Sequence, residues 1–532
     1  MFRRAVVVFA ILAALVGVFL ARQSAQEDEV LISGRNNTVL IVTDSHHGLC
    51  NAHLATVSAL VENHPSVEVH YASFSGIASD IERISKNAKA FNPEAEIHWH
   101  QFEAPSLVDE IKAMGSLLEI VTPPGMPGLK AFAKMVPFFM TAWSDEAHLS
   151  LYQQTVDIIQ KVDPAVVILD SLLRPSIDAA VNLNRTRAYI TPNALVDLIS
   201  AVQPRGGHFW KYPGIASGLP FPIPWKDIPT NIYQQVYFII KFLTSPAIKN
   251  KRSSLQEKGI PQAVNLFEMY RKDVPWIAMS YPEAGYPLEY IPDNFRIVGP
   301  LVLDVAPAET QSAELTGWIK KAPTILVNLG SAFRYEEPRA VVMAEAIAAV
   351  LDATDVQILW KLRKAGKYGD DFLGAAKKYV DEGRLRLETW LDVDPTSLYN
   401  TGDIAVSVHH GGANCFYETV LPTIKSKQFS SSTNTDPTPD RAGIPSVVLP
   451  LWADHYNYAQ TAEYLGVGIW PNKKTAPDWE AAALTEAFLE ALSGNKSITM
   501  RRNAKAIAHK GHEYGGRKLA AQLVAEMAAG GK

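Results

Sequence analysis

The sequence predicts an α/β protein with two doubly wound domains facing each other across a cleft. Three observations carry this. Short, continuously apolar runs such as PAVVILD (Pro164 to Asp170) and PTILVNLGS (Pro323 to Ser331) read as parallel strands covered on both faces. Segments with helical spacing of apolar residues alternate with them. The pattern begins twice, near residue 38 and again after residue 290, and 532 residues leave room for two large units.

Composition narrows the function. The chain has 50 basic and 55 acidic side chains for a formal charge of -5, which argues against a nucleic-acid partner. Only two cysteines occur, Cys50 and Cys415, so there is neither a disulfide framework nor a CxxC metal motif.

The elements follow in order. Arg3 and Arg4 precede an uncharged run, Ala5 to Ala21, so residues 1–21 read as a signal peptide or signal anchor of the endoplasmic reticulum or another secretory-pathway membrane. The bulk chain would then be lumenal, where Asn36, Asn184 and Asn495 are glycan acceptors. Residues 22–37 form a polar linker. The first domain, 38–290, opens with the strand TVLIVTD, the loop SHHGLCN and a helix whose Leu54, Val57, Leu60 and Val61 make one stripe. VEVHYASF and PAVVILD supply further strands. Pro204 to Leu243 breaks the pattern with prolines, glycines and aromatics, then an aromatic-faced helix, NIYQQVYFIIKFL. That helix either belongs to the core or lines an apolar acceptor cleft. The second domain, 291–500, carries strands in PTILVNLGS, VQILWKL, RLRLETWL, IAVSVHHGG and IPSVVLPLW, with a helix in PRAVVMAEAIAAVLDA. Residues 501–532 are a helical segment expected to pack back on the first domain.

Two clusters carry chemistry. In VSVHHGGANCFYE a strand meets His409, His410 and a Gly411-Gly412 turn that opens a helix, and backbone N–H groups there attract an anion. Glu418 follows Asn414 by one turn, where a carboxylate can accept two vicinal hydroxyls. In LPLWADHYNYA, Trp452, Asp454 and His455 follow a buried strand and offer groups that grip sugar hydroxyls.

From Trp390 to Ala459 the chain resembles the nucleotide-binding signature of the UDP-glycosyltransferases. The resemblance implies the GT-B fold, two Rossmann-like domains across a cleft. It implies that Trp390 stacks on uracil, that His410 and Asn414 contact the diphosphate, that Glu418 takes the ribose, and that Asp454 and His455 contact the donor sugar. Gly330, Ser331, Gly412 and Cys415 complete the implied donor site. The chain departs from the signature in places. Asp392 and Val393 stand where the family has Pro-Gln, Cys415 replaces a serine and His455 a glutamine. The polar insert Pro422 to Arg441 has no family counterpart and reads as a loop or as translated intron. Asp392-Val393-Asp394 imitates a metal-binding Asp-x-Asp motif, but it sits inside a metal-independent signature, so no metal is assigned.

Sugar transfer needs a base at the acceptor hydroxyl, and a histidine backed by a buried aspartate suits that task. The family's base follows a glycine after the first strand, where this chain has Gly48-Leu49, so the base itself is not carried over. His46, His47 and His53 are the nearby substitutes, with His53 ranked first and His47 second. Asp170, at the end of its apolar strand, is the expected partner.

The reading is an inverting, metal-independent transfer of a hexosyl group from a UDP-sugar to a hydroxyl of a small hydrophobic or lipid acceptor. UDP-sugar is the donor substrate and no bound cofactor is expected. Two alternatives remain: a catalytically impaired nucleotide-sugar-binding protein, or a UDP-sugar epimerase.

Overall fold

The apolar runs form two sheets in which every strand pair is parallel. The computed structural model describes residues 30–89, 92–113, 121–420 and 443–531. The expected anchor 1–21, the first half of the linker and the insert 422–441 lie outside the described residues.

The first sheet contains β1 (Arg35–Val42), β2 (Glu68–Ser73), β3 (Ile97–Gln101), β4 (Pro164–Asp170), β5 (Arg187–Thr191), β6 (Trp276–Ala278) and β7 (Phe295–Ile297), in the order β3-β2-β1-β4-β5-β6-β7. The second contains β8 (Thr324–Asn328), β9 (Gln357–Lys361), β10 (Leu385–Glu388), β11 (Ile404–His409), β12 (Ser446–Val448) and β13 (Gly468–Ile469), in the order β10-β9-β8-β11-β12-β13. Each order runs outward one way from its first strand and then back from the other side. The reversal falls between β1 and β4 in one sheet and between β8 and β11 in the other. Connections diverge at such a point and leave a crevice at the carboxyl ends of the strands. Asp44 and Asp170 lie at one crevice, His409 and His410 at the other.

Burial follows the parallel geometry. Every residue of β4, β5, β8 and β9 is buried, as expected for strands covered on both faces. One face of the first sheet carries Val39, Ile41, Val69 and Tyr71 against the helix His47–Asn63. The other carries Leu40, Val42, Val167 and Leu169 in a core shared with the helices Asp145–Val162 and Arg174–Asn182.

The chain ends on its first half. The helix Gly516–Ala529 packs on His47–Asn63 and on β1, burying Ala520, Ala521, Val524 and Ala528. Arg517 donates from Nη1 to Glu62 Oε2 at 3.0 Å and to Ser58 Oγ at 3.3 Å.

Element boundaries differ from the sequence reading in three places. β7 joins the first sheet beyond residue 290, because its three residues follow a proline-rich stretch and are too short to show a period. β1 starts at Arg35, inside the expected linker, with Arg35 and Asn36 exposed on the sheet's rim. The helix Gly494–Glu513 crosses the expected boundary at 500.

Candidate active site

The donor side is built around His410. β11 ends at His409, and Gly411-Gly412 turn the chain into the helix Ala413–Val420. The His410 ring lies between two glycines. A Cβ on Gly412 would stand 2.5 Å from its Nε2, and one on Gly330 2.6 Å from its Cε1. Gly330 also has a φ of +85°, which only glycine adopts without strain. The Gly330-Ser331 turn thus serves to seat a histidine. The ring meets that of His455 edge-on at 4.5 Å, and Trp452 lies 4.1 Å from His455. His410 Nδ1, His455 Nδ1 and His409 Nε2 are buried with no hydrogen-bond partner among the described residues. Burial and the positive charge of Lys361 lower the His410 pKa to about 4.

Lys361, at the end of β9, was not singled out by the sequence. Its Nζ lies 3.8 Å above the half-exposed Trp390 ring and donates to the Gly330 carbonyl at 3.3 Å. Burial lowers its pKa to about 8. Arg363 approaches the same ring at 5.5 Å and donates to the Ser331 carbonyl. A lysine ending an apolar strand, VQILWK, was the available signal. Glu418 is pushed up to about 8 by burial and the charge of Asp394, and burial pushes the Cys415 thiol up as well. Asp454 sits in the first turn of the helix Ala453–Tyr464. Burial raises its pKa to about 6 against the opposing backbone N–H groups of Asp454 and His455. The structure therefore brings Gly330, His410, Gly412, Trp452 and His455 into one cluster, with Lys361 joining it to Trp390. Within Asp392-Val393-Asp394, Asp394 pairs with Arg83 at 3.4 Å, and Val393 between the two aspartates is buried.

The two halves meet at this site. Asn414 donates from Nδ2 to the His47 carbonyl at 3.2 Å, which joins the helix after the donor turn to the loop after β1. Tyr417 donates to Ser280 Oγ at 3.1 Å and Tyr458 to the Pro192 carbonyl at 3.2 Å.

The acceptor side requires a correction. His53, ranked first as the base, has only 1 % of its surface exposed. Its Nδ1 lies 3.3 Å from the Leu49 carbonyl and its Nε2 3.3 Å from the Leu169 carbonyl. The helix begins at His47, so His53 falls in its second turn and faces β4 instead of the cleft. His47 is exposed, with Nδ1 3.3 Å from Asn51 Oδ1. His46 caps the helix, is half-buried, and folds its ring over Gly48. Burial lowers the His46 pKa, while the negative charge of Asp170 pushes it back up. Asp170 is buried at the end of β4 and accepts from the N–H of Leu172 at 2.8 Å and of Asp44 at 3.3 Å. Among the described residues no histidine side chain is hydrogen-bonded to it. Asp44, treated only as a strand end in the sequence, is a second buried carboxylate here. It accepts from the N–H of Leu107 at 2.8 Å and of His46 at 3.0 Å, and burial, with Asp170 adding, raises its pKa to about 7.

Asp197 makes a pH-dependent link between the halves. Asn457 donates to its Oδ1 at 2.5 Å, while Asp197 Oδ2 and Asn457 Oδ1 have no partner among the described residues. Burial and the charge of Asp454 raise the Asp197 pKa to about 8. A carboxyl whose folded pKa lies above its unfolded value stabilises fully below the unfolded value, and that contribution is lost as pH rises through the folded one. Asp197→Asn is therefore expected to gain stability over wild type at pH 8 relative to pH 5, on the order of 2 kcal/mol. Urea midpoints at the two pH values check this, and an equal offset at both would refute it.

The chain thus has two doubly wound domains, each with a crevice at the switch point of its sheet, where ligands of such folds bind. No protein-family model matches the chain. It is 31% identical over 460 residues to the glycosyltransferase sdnJ of Sordaria araneosa, across 82% of this chain and 84% of that protein. The chain belongs to the UDP-glycosyltransferase family and is a glycosyltransferase. It is 27% identical over 286 residues to a sterol 3-beta-glucosyltransferase of Debaryomyces hansenii, across 51% of this chain and 15% of that protein. It is 22% identical to the human 2-hydroxyacylsphingosine 1-beta-galactosyltransferase across 53% of this chain and 44% of that protein. In fold it matches a UDP-glucosyltransferase from Polygonum tinctorium with a TM-score of 0.56 at 16% identity, covering 93% of this chain and 99% of that one.

Proposed function

We propose that the protein transfers a hexosyl group from a UDP-sugar to the hydroxyl of a small hydrophobic or lipid acceptor, with inversion and without a metal ion. The observation that carries this reading is the glycine-seated His410 with its unpartnered buried Nδ1, set opposite the His46–His47 loop. A diphosphate is the ligand that such a site lacks, since a neutral imidazole still offers one N–H donor. Trp390 and Lys361 fit the base of the nucleotide, and Glu418 fits the ribose. His46 is the base in this reading. It lies within the field of Asp170, whose negative charge favours the imidazolium that proton transfer creates. The sterol and sphingolipid names among the relatives support an apolar acceptor. So do Trp225, Tyr233, Ile240 and Leu243, exposed on and just before the helix Ile228–Leu243.

The test is UDP release from candidate UDP-sugars with a panel of hydrophobic alcohols. Acceptor-dependent release is expected. UDP binding without it would favour the impaired binding protein, and donor interconversion without an acceptor would favour an epimerase. The proposal extends to location. Residues 5–21 support insertion in the endoplasmic reticulum membrane with the domains lumenal. No helix among the described residues is long and apolar enough to cross a membrane. Digestion of the bulk chain in intact microsomes without detergent would overturn the lumenal placement.

A further inference from the structure

A second cluster of histidines lies on the first sheet, away from the carboxyl ends of its strands. β2 and β3 pair in parallel with His70 opposite His98 and Ala72 opposite His100. Side chains alternate along a strand, so Glu68 and His70 of β2 share one sheet face with His98 and His100 of β3. His70 Nε2 lies 2.8 Å from Glu68 Oε1, and its Nδ1 lies 2.9 Å from His100 Nε2. The His98 and His70 ring centroids are 4.7 Å apart. One ligand atom from each of Glu68, His70 and His98 falls within 4.8 Å of the others.

We propose that Glu68, His70 and His98 bind a divalent transition-metal ion of the zinc type, with water completing the shell. Two imidazoles and one carboxylate suit such an ion and leave a fourth position open. Metal–ligand bonds near 2.1 Å put the ligand atoms of a tetrahedral shell roughly 3.4 Å apart. The Glu68–His70 pair stands slightly inside that separation, and the His98 atom is no further than the 4.8 Å limit. Glu68 and His98 are part-exposed, with His98 Nδ1 3.8 Å from Glu96 Oε1, whereas His70 is buried and held. His100 plays the outer role. A His70 that ligates through Nε2 carries its proton on Nδ1, and His100 Nε2 is placed to accept that N–H. Arg35 competes for Glu68 at 3.0 Å, but the pair is half-exposed and weak, so an ion displaces it. β3 is the outermost strand of the sheet, and the bound ion would tie it to β2. The ion takes no part in sugar transfer.

The experiment titrates the full chain, stripped of metal, with Zn²⁺ against a chromophoric chelator and with Co²⁺ followed by visible absorption. One equivalent is expected to bind, with His98→Ala and Glu68→Gln at least tenfold weaker and transferase turnover unchanged in both. His509→Ala removes the separate surface pair His509–Glu513 and is expected to keep wild-type affinity. Wild-type binding no tighter than in the His98 and Glu68 variants, or no stoichiometric binding, overturns the site. Neither result bears on the transferase reading, because the readout is metal and not sugar.

Discussion

Replacing His46 with alanine is expected to lower turnover roughly 10²- to 10⁴-fold while leaving the Kd for UDP within about twofold. A base must reach a hydroxyl in the cleft, and a carboxylate behind it must stabilise the imidazolium that forms when it takes the proton. His53 meets the second need but not the first, since both ring nitrogens face backbone carbonyls inside the first domain. His47 is exposed and turned to Asn51, and its carbonyl is held by Asn414. His46 alone of the three is half-buried, without a side-chain partner among the described residues, and within the field of Asp170. His53→Ala should lower the denaturation midpoint, because it opens a cavity against β4. Asp170→Asn should track His46→Ala in turnover, and the double variant should be no worse than either single, as for groups that act as one unit. Single-turnover rates and UDP titrations on the same preparations separate these outcomes. Full turnover in His46→Ala would end the assignment.

The same loop shows where the sequence was legible and where it was not. Strands such as Pro164–Asp170 and Thr324–Asn328 were readable because parallel strands are apolar on both faces and bounded by turns. The turn after β11 was readable because it is local: His410, Gly412, Asn414 and Glu418 lie within nine consecutive residues. The base was not, because its identity depends on where a helix starts. Beginning that helix at His47 places His53 on the inner face and leaves His46 as the cap. Sequence spacing shows neither the helix start nor the Leu169 carbonyl that meets His53 from a strand 116 residues away. Lys361 and Asp44 were missed for a related reason. A single charged residue ending an apolar strand looks like a solvated terminus until another element covers it. Trp390 meets Lys361 from β10's end, and the Leu107 N–H meets Asp44 from a helix 63 residues on. Strands β6, β7 and β13 are two or three residues long, and their pairing is imposed by neighbours instead of by any period of their own.

His410→Ala is expected to weaken UDP binding roughly 10- to 100-fold, the loss of one hydrogen bond to a charged group in a buried site. The imidazole's pKa of about 4 makes it neutral at pH 7, so what disappears is a directed N–H donor and not a fixed charge. That distinction gives the prediction its sign with pH. A diphosphate beside the ring raises its pKa above the free value, so wild-type affinity should rise as pH falls toward the bound-state pKa. The increment belonging to this ring should vanish in His410→Ala. Gly412→Ala provides the independent variant. It keeps the histidine but places a Cβ 2.5 Å from Nε2, so the ring must shift and its donor must leave its present line. A loss in Gly412→Ala comparable to that in His410→Ala would show that the ring's seat, and not merely its presence, holds the diphosphate. Isothermal titration with UDP and with uridine separates the cause further. Both variants should lose affinity for UDP and keep whatever affinity they have for uridine, since Trp390 and Glu418 are untouched. Equal losses for the two ligands would move His410 out of the phosphate site and leave its unpartnered nitrogen without a ligand.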